Sequence, residues 1–369
     1  MRIVCVAAAR PNFMKIKPVL DALDEASAST VLVHTGQHYD ETMSHVFFHE
    51  LGIRPPDVNL EVGSGSHAEV TARTLVGMER LLAEAAADAL VVVGDVNSTL
   101  AAALAGAKAG CLVAHVEAGL RSRDWSMPEE INRVVTDRLS DYLFAPSDDA
   151  VVNLQNEGYR EDQIHLVGNV MIDTLFANVE RAKARPILNT LDLEPRGYGL
   201  VTLHRPSNVD DETGLALLLA ALGNVAAQLP LVFPVHPRTR AVLTSLAVPH
   251  GITVTDPLGY LDFVALEASA RIVLTDSGGV QEETTALGVP CLTLRANTER
   301  PITVELGTNK VVGSDPGRIV SHVRATLEAE PGNRPLIPGW DGQAGKRIAA
   351  ILMRAVERAP HRRPTDRVL

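Results

Sequence analysis

The chain has 369 residues, 46% of them hydrophobic, which is enough for two domains with sizeable cores. Its 34 basic and 45 acidic side chains give a formal charge of −11, and the basic residues are dispersed; this argues against a general nucleic-acid binder but leaves room for a small phosphorylated ligand in a local positive pocket. The three cysteines, Cys5, Cys111 and Cys291, form no CxxC pair, which speaks against a disulfide framework or cysteine metal cluster and for a reduced, cytoplasmic protein.

In chain order, short β-branched runs alternate with helical segments. The first half offers "RIVCVAA" (2–8), "TVLVHTG" (30–36), "ALVVVGD" (89–95), "CLVAHVE" (111–117), "DYLFAPS" (141–147) and "IHLVGN" (164–169). The second offers "YGLVTLH" (198–204), "LVFPVH" (231–236), "ITVTDP" (252–257), "RIVLTD" (271–276), "PCLTL" (290–294) and "KVVG" (310–313). Near-continuous apolar strands alternating with helices predict parallel sheets covered on both faces. Twelve strands exceed one comfortable sheet, and a Pro-, Gly- and charge-rich stretch at 183–198 suggests a break between two doubly wound domains flanking a cleft. The opening apolar run is too short for a signal peptide, and no stretch reaches the length of a membrane span. A closing helix is expected over 345–359, followed by a polar tail.

The polar residues of interest stand at strand ends, where such sheets bind ligands. Asp95 ends "VVGD", although an ordinary N-cap would explain it equally well. Glu117 ends "HVE", where a glutamate is a poor cap and expensive to bury. "MPEEINR" (127–133) reads as a helix start, with Pro128 at the first position and Glu129 and Glu130 suiting the dipole. Asp95, Glu117 and Glu129 then form a trio of carboxylates at neighbouring strand ends, and crowding pushes the pKa values of such groups apart. His204 with Arg205, and His236, end the first two strands of the second half. "TDSGGVQEE" (275–283) follows a strand and opens a helix, so Ser277, Gly278 and Gly279 can bring backbone N–H groups to an anion, with Glu282 or Glu283 gripping hydroxyls such as a ribose. Arg10 and Lys15 in "ARPNFMK" flank a tight turn beyond the first strand, and with Arg133 they would line the same cleft. His45 and His49, four apart, lack an HExxH pattern and read as a solvated helix face. No GxGxxG follows the first strand. These residues alone support an enzyme acting on a phosphorylated or nucleotide-linked molecule, without metal or nicotinamide.

Taken together, "RPNFMK", "GDVNST", "HVEAGLRS", "MPEEINR", "MIDTL", "HRPSN", "PVHPR", "TDSGGVQEE" and "ERPITVELGTN" resemble the non-hydrolysing UDP-N-acetylglucosamine 2-epimerase family, in the family's order and spacing from residue 10 to about 313. The resemblance implies an α/β, GT-B-like fold of two Rossmann-like, doubly wound parallel-sheet domains facing across a cleft. The first would span 1–170 with the last helix, 350–369, and the second 171–349. It implies interconversion of UDP-GlcNAc and UDP-ManNAc with neither cofactor nor metal, through loss of the C2 proton and of UDP to give 2-acetamidoglucal, then re-addition. It also implies a homodimer that binds neither nucleic acid nor membrane. By position, Asp95, Glu117 and Glu129 match the family's catalytic acids and His204 its essential histidine. Arg10, Lys15 and Arg133 match residues near the diphosphate and sugar. Ser277, Gly278 and Gly279 match the diphosphate loop, Glu283 the ribose-binding acid, and His236 and Arg300 the UDP site. Glu130 is left to serve the helix start, where losing its charge would cost well under about 1 kcal/mol.

Two stretches depart from the family. "GQHYDETM" (36–43) has Tyr39 and Asp40 where members activated by a second UDP-GlcNAc carry a "QHRxM" pattern, which puts such activation in doubt. "HRPSN" replaces the "HRRE" of some members and leaves open a related UDP-hexosamine. A UDP-sugar glycosyltransferase of the same fold, a hydrolysing epimerase and a nucleotide-sugar sensor are the competing readings.

Overall fold

The computed structural model describes residues 2–36, 48–235, 237–330 and 334–358. Two compact units emerge, one made of residues 1–174 with 338–369 and the other of residues 175–337. The chain leaves the first unit inside the helix Val170–Lys183 and returns just before Trp340, whose indole N–H donates to the Pro146 carbonyl at 3.1 Å.

The first unit holds a seven-stranded, wholly parallel sheet. Its strands are β1 (Arg2–Ala7), β2 (Ser29–His34), β3 (Val58–Asn59), β4 (Ala89–Val93), β5 (Leu112–Val116), β6 (Tyr142–Ala145) and β7 (Ile164–Leu166). They lie in the order β3-β2-β1-β4-β5-β6-β7, so the winding reverses between β1 and β4. β1 and β4 are apolar because both faces are covered: Val4, Val6, Leu90 and Val92 pack with Met78, Leu81 and Leu82 of the helix His67–Ala85. The helix Asn97–Ala109 lies close on the sheet because Gly106 has no side chain; a Cβ there would stand 2.5 Å from Leu90 Cδ2. The helix Ala344–Arg358 also belongs to this unit. A Cβ on its Gly345 would stand 2.4 Å from the Pro18 carbonyl oxygen in the helix Arg10–Glu25, and the Gly345 N–H donates to Asp173 at 2.8 Å.

The second unit repeats the scheme with six parallel strands: β8 (Gly199–Thr202), β9 (Leu231–Pro234), β10 (Ile252–Thr255), β11 (Ile272–Thr275), β12 (Cys291–Thr293) and β13 (Asn309–Val311). The order β10-β9-β8-β11-β12-β13 reverses between β8 and β11. Its larger core joins Val201, Leu231, Phe233, Ile272 and Leu274 to Leu215, Leu218 and Leu222 of the helix Glu212–Ala226. The stretch 183–198 is not a free linker. It contains the short helix Ile187–Thr190, and Leu188, Leu191 and Leu193 pack on this unit's core.

The twelve apolar runs all carry strands, each ending a few residues before the run does, and β3 is the one strand the sequence reading lacks. Cys5, Cys111 and Cys291 are free and buried. Among the described residues no helix is long and apolar enough to cross a membrane, and no three His, Cys, Asp or Glu side chains are arranged to hold a metal ion. His45, Tyr39, Asp40 and the polar tail lie outside the described residues.

Candidate active site

In the first unit the side chains of interest gather just beyond β4 and β5, beside the reversal of the sheet. Asp95 and Glu117 follow those strands by two residues and one residue respectively. Glu117 is buried, and its backbone is left-handed with φ +72°, a conformation that an L residue other than Asn or Asp adopts rarely and at a cost. Its Oε2 pairs with Lys15 Nζ at 2.5 Å, while its Oε1 has no hydrogen-bond partner among the described residues. Both Lys15 and Glu117 pack over Gly94; a Cβ there would stand 3.0 Å from Nζ and 3.8 Å from Glu117 Oε2. Asn12, one turn before Lys15, donates to the Val93 carbonyl at 2.8 Å and so docks the helix Arg10–Glu25 on the end of β4.

The helix Pro128–Leu139 begins as "MPEEINR" suggested, with Pro128 in its first turn. Asn132 Nδ2 donates to the Asp95 carbonyl at 2.9 Å, and Arg133 Nη2 grips Asp95 Oδ2 at 2.7 Å. Arg133 is buried, with its other arm, Nη1, on Glu130 Oε2 at 2.7 Å. Glu129 is half-buried on the face it shares with Arg133, four residues on.

Glu130 is where the structure corrects the sequence reading. It is buried, and besides Arg133 it accepts the Ser122 N–H at 2.9 Å, the Ser122 hydroxyl at 3.0 Å and the Arg123 N–H at 2.9 Å. This acid does not merely complement a helix dipole. It anchors the loop after β5 and aims Arg133 at Asp95.

In the second unit His204 stands two residues beyond β8, half exposed, with Nδ1 2.9 Å from Asp276 Oδ1. Asp276 directly follows β11 and is fully buried. It also accepts the backbone N–H groups of His204 and Arg205 and the Nδ2 of Asn208 at 3.0–3.1 Å. Burial opposes its charge, but the His204 ring and these donors outweigh it and hold the carboxyl below the usual range. With Nδ1 committed to Asp276, Nε2 is the ring nitrogen left to face a ligand.

The helix Gly278–Leu287 starts immediately after Ser277, whose hydroxyl makes no cap bond, and contains Gly278, Gly279 and Glu283. A Cβ on Gly278 would stand 2.8 Å from Glu299 Oε1, so glycine is needed for that close approach. Around it lie buried ion pairs: Arg300 Nε on Glu282 at 2.6 Å and Arg295 on Glu299 at 2.8 Å. Glu283 is buried and accepts from the Tyr260 hydroxyl at 3.2 Å. Desolvation pushes its pKa up to about 8, against the Tyr260 bond and with the help of Glu282. Glu267, fully buried on the helix Tyr260–Ser269, is also pushed well above the carboxylate range, by burial and then by Glu283.

Of the residues singled out from sequence, Lys15, Asp95, Glu117, Glu129 and Arg133 therefore share one neighbourhood of the first unit. His204, Ser277, Gly278, Gly279, Glu283 and Arg300 belong to the second. Arg10 opens the helix Arg10–Glu25, and His236 lies outside the described residues. Sequence reasoning missed Asp276, although "TDSGG" carried it at a strand end, and it missed the roles of Glu130, Asn12 and Glu267, for which no spacing signal exists.

A family model for UDP-N-acetylglucosamine 2-epimerase matches residues 21–353. A UDP-N-acetylglucosamine 2-epimerase of Methanococcus maripaludis is 40% identical over 364 residues, covering 95% of this chain and 98% of the relative. A UDP-2,3-diacetamido-2,3-dideoxy-D-glucuronate 2-epimerase of Pseudomonas aeruginosa is 41% identical over 356 residues, covering 95% and 99%. Among solved structures, the Methanocaldococcus jannaschii UDP-GlcNAc 2-epimerase in complex with UDP-GlcNAc and UDP superposes with a TM-score of 0.90 at 40% identity, covering 96% of this chain and all of that one. The two parallel-sheet units are accordingly of the GT-B-like class, and the chain belongs to the UDP-N-acetylglucosamine 2-epimerase family.

Proposed function

We propose that the protein is a non-hydrolysing isomerase that interconverts UDP-GlcNAc and UDP-ManNAc by elimination and re-addition of UDP. The observation that carries this is Glu117: a buried carboxylate held by Lys15 on a strained strand-end turn, with one oxygen bare, next to an Asp95 fixed by Arg133. A sensor has no need of such a group.

The C2 proton of the sugar is weakly acidic. As the C1–O bond breaks, its electron pair leaves with UDP and positive charge builds at C1; a carboxylate then takes the C2 proton, and the C2–H electrons form the C1=C2 bond of 2-acetamidoglucal. Return places a proton on the other face of C2, and a UDP oxygen attacks C1. Glu117 and Glu129 are assigned the proton transfers and the stabilisation of charge at C1, with Asp95 completing the trio. His204, steadied by Asp276, acts through Nε2. The N–H groups at Ser277 to Gly279, with Arg300 and His236, hold the diphosphate, and Glu283 takes ribose hydroxyls. Lys15, Arg10 and Arg133 complete the charge around diphosphate and sugar. No cofactor or metal enters. The reading includes a homodimer working in the cytoplasm, supported by family membership alone; sedimentation checks the first.

The test is UDP-GlcNAc incubated with the protein in D2O and followed by NMR. UDP-ManNAc carrying deuterium at C2 is the expected result. Free sugar would mean hydrolysis, and an unchanged substrate would end the epimerase reading for it. The Pseudomonas aeruginosa relative favours a second reading, a related UDP-hexosamine, so a UDP-2,3-diacetamido sugar belongs in the same assay.

A further inference from the structure

Beneath the turns that carry Asp95 and Glu117 lies a buried ionic network that the proposed chemistry does not use. His115 is the next-to-last residue of β5, and its ring is fully buried. Nδ1 stands 2.6 Å from Asp137 Oδ1, and Nε2 stands 2.9 Å from the Gly94 carbonyl oxygen. Asp137, in the helix Pro128–Leu139, is fully buried as well. Its Oδ2 accepts the Gly119 N–H at 3.1 Å and Arg121 Nη2 at 2.7 Å. Arg121 in turn donates to the Leu120 carbonyl at 2.8 Å and makes a two-point pair with Glu157 at 2.7–2.8 Å.

The ends of this network decide its meaning. Gly94 immediately precedes Asp95, and Gly119 to Arg121 follow Glu117 by two to four residues. Asp137 therefore ties the first turn through His115 and the second directly. Both turns are held in left-handed backbone, with φ of +69° at Gly94, +72° at Glu117 and +84° at Gly119; the glycines adopt it freely, whereas at Glu117 it persists only where neighbours over-determine it. A purely structural core would gain as much from apolar residues of the same volume.

We propose that His115 and Asp137 are positioning residues that fix the spacing of the Asp95 and Glu117 turns for epimerisation. The inference rests on the epimerase reading above. The two ring nitrogens of His115 meet Asp137 Oδ1 and the Gly94 carbonyl oxygen, so the ring spans the two. Burial opposes the charge of Asp137, but His115 and Arg121 together hold it below the usual carboxylate range, so it remains an acceptor.

Two variants separate the two links. His115→Gln can reach the Gly94 carbonyl but not Asp137, whereas His115→Asn can reach Asp137 but not Gly94. Turnover, KM, UDP affinity by calorimetry and melting are measured for both and for the wild type. Each variant cuts the tie between the two turns, so each should turn over roughly tenfold more slowly than wild type, with KM and UDP affinity within about threefold of wild type, since what is lost is orientation of a reacting group and not binding. Turnover within about threefold of wild type for both variants, or a loss shared by UDP affinity, overturns the positioning role. An inactive wild type removes the epimerase reading and this role with it; an active wild type with insensitive variants removes this role alone. Should neither variant fold, the wild type still decides: with 15N-labelled histidine, one ring must show an N–H proton protected from solvent exchange. Absence of such a ring refutes the network as drawn.

Discussion

In the first unit, Glu117 has Lys15, Glu130 and Asp95 share Arg133, and Asp137 lies between His115 and Arg121. In the second, Glu267 and Glu283 are buried near Tyr260, and both oxygens of Glu267 lack a hydrogen-bond partner among the described residues. Buried acids with matched cations stay ionised, whereas buried acids beside one another hold their protons. A unit assigned proton abstraction needs its carboxylates charged; one assigned to hold a nucleotide needs donors and acceptors in fixed places. Two sheets of like topology are thus furnished differently: the second unit has matched pairs of its own, Glu282 with Arg300 and Glu299 with Arg295, and adds a pair of acids that hold their protons.

The largest test of this contrast is Glu117→Gln. Removing the charge while keeping the shape should lower turnover at least about a hundredfold, the scale of losing a general acid or base. Turnover within tenfold of wild type would make Lys15–Glu117 a structural pair and empty the contrast of its functional side. Glu129→Gln should follow the same course with UDP affinity unchanged.

Next comes Glu130→Gln. Removing one partner of a buried ion pair costs about 3–5 kcal/mol. The melting temperature should fall by several degrees, and turnover should fall too, because Arg133 loses the anchor that aims it at Asp95. An unchanged melting curve would return Glu130 to the helix-dipole role the sequence suggested.

A smaller effect lies in Gly279, half-buried in the first turn of the helix Gly278–Leu287. A bulky residue there should weaken UDP binding at least about tenfold, roughly 1.4 kcal/mol, in calorimetry. Undiminished affinity would take the diphosphate away from that turn.

The smallest is the pH dependence. Glu283 is raised from an ordinary 4.5 to about 8, so over that interval the folded chain holds a proton that the unfolded chain has released. Its contribution is full below 4.5 and drains away as pH rises through about 8. Asp137, held below its ordinary 3.8, behaves in the opposite sense: its contribution is present above that value and is lost as pH falls. The second unit should therefore melt earlier at pH 9 than at pH 6, and Glu267→Gln should blunt the drop, at about 2–4 °C for each kcal/mol. A Glu267→Gln curve that falls as steeply as wild type would contradict a protonated acid pair.

The strands were legible because parallel strands covered on both faces must be apolar from end to end. β3 escaped because Val58–Asn59 is too short to carry any period. Asp95, Glu117 and His204 were legible as charges interrupting apolar runs. Glu129 and Glu130 look alike in sequence; only the positions of Ser122 and Arg123 around the first turn of their helix separate them. His115 and Asp137 lie 22 residues apart, and no local pattern announces that β5 and that helix bring them within 2.6 Å. Lys15 read as a cation for a phosphate, while the fold gives it a carboxylate as its nearest partner.

The helix Ala344–Arg358, seated on Pro18 through Gly345, bears on the order in which the protein is made. The second unit is one unbroken stretch, 175–337, and all of it emerges from the ribosome before that helix does. The first unit, begun earlier, cannot close over the helix Arg10–Glu25 until residues more than three hundred positions later emerge. Synthesis therefore favours a nascent chain in which the later-made unit finishes folding first, while the one bearing Asp95 and Glu117 waits with an apolar flank uncovered, the state in which chaperones find their clients.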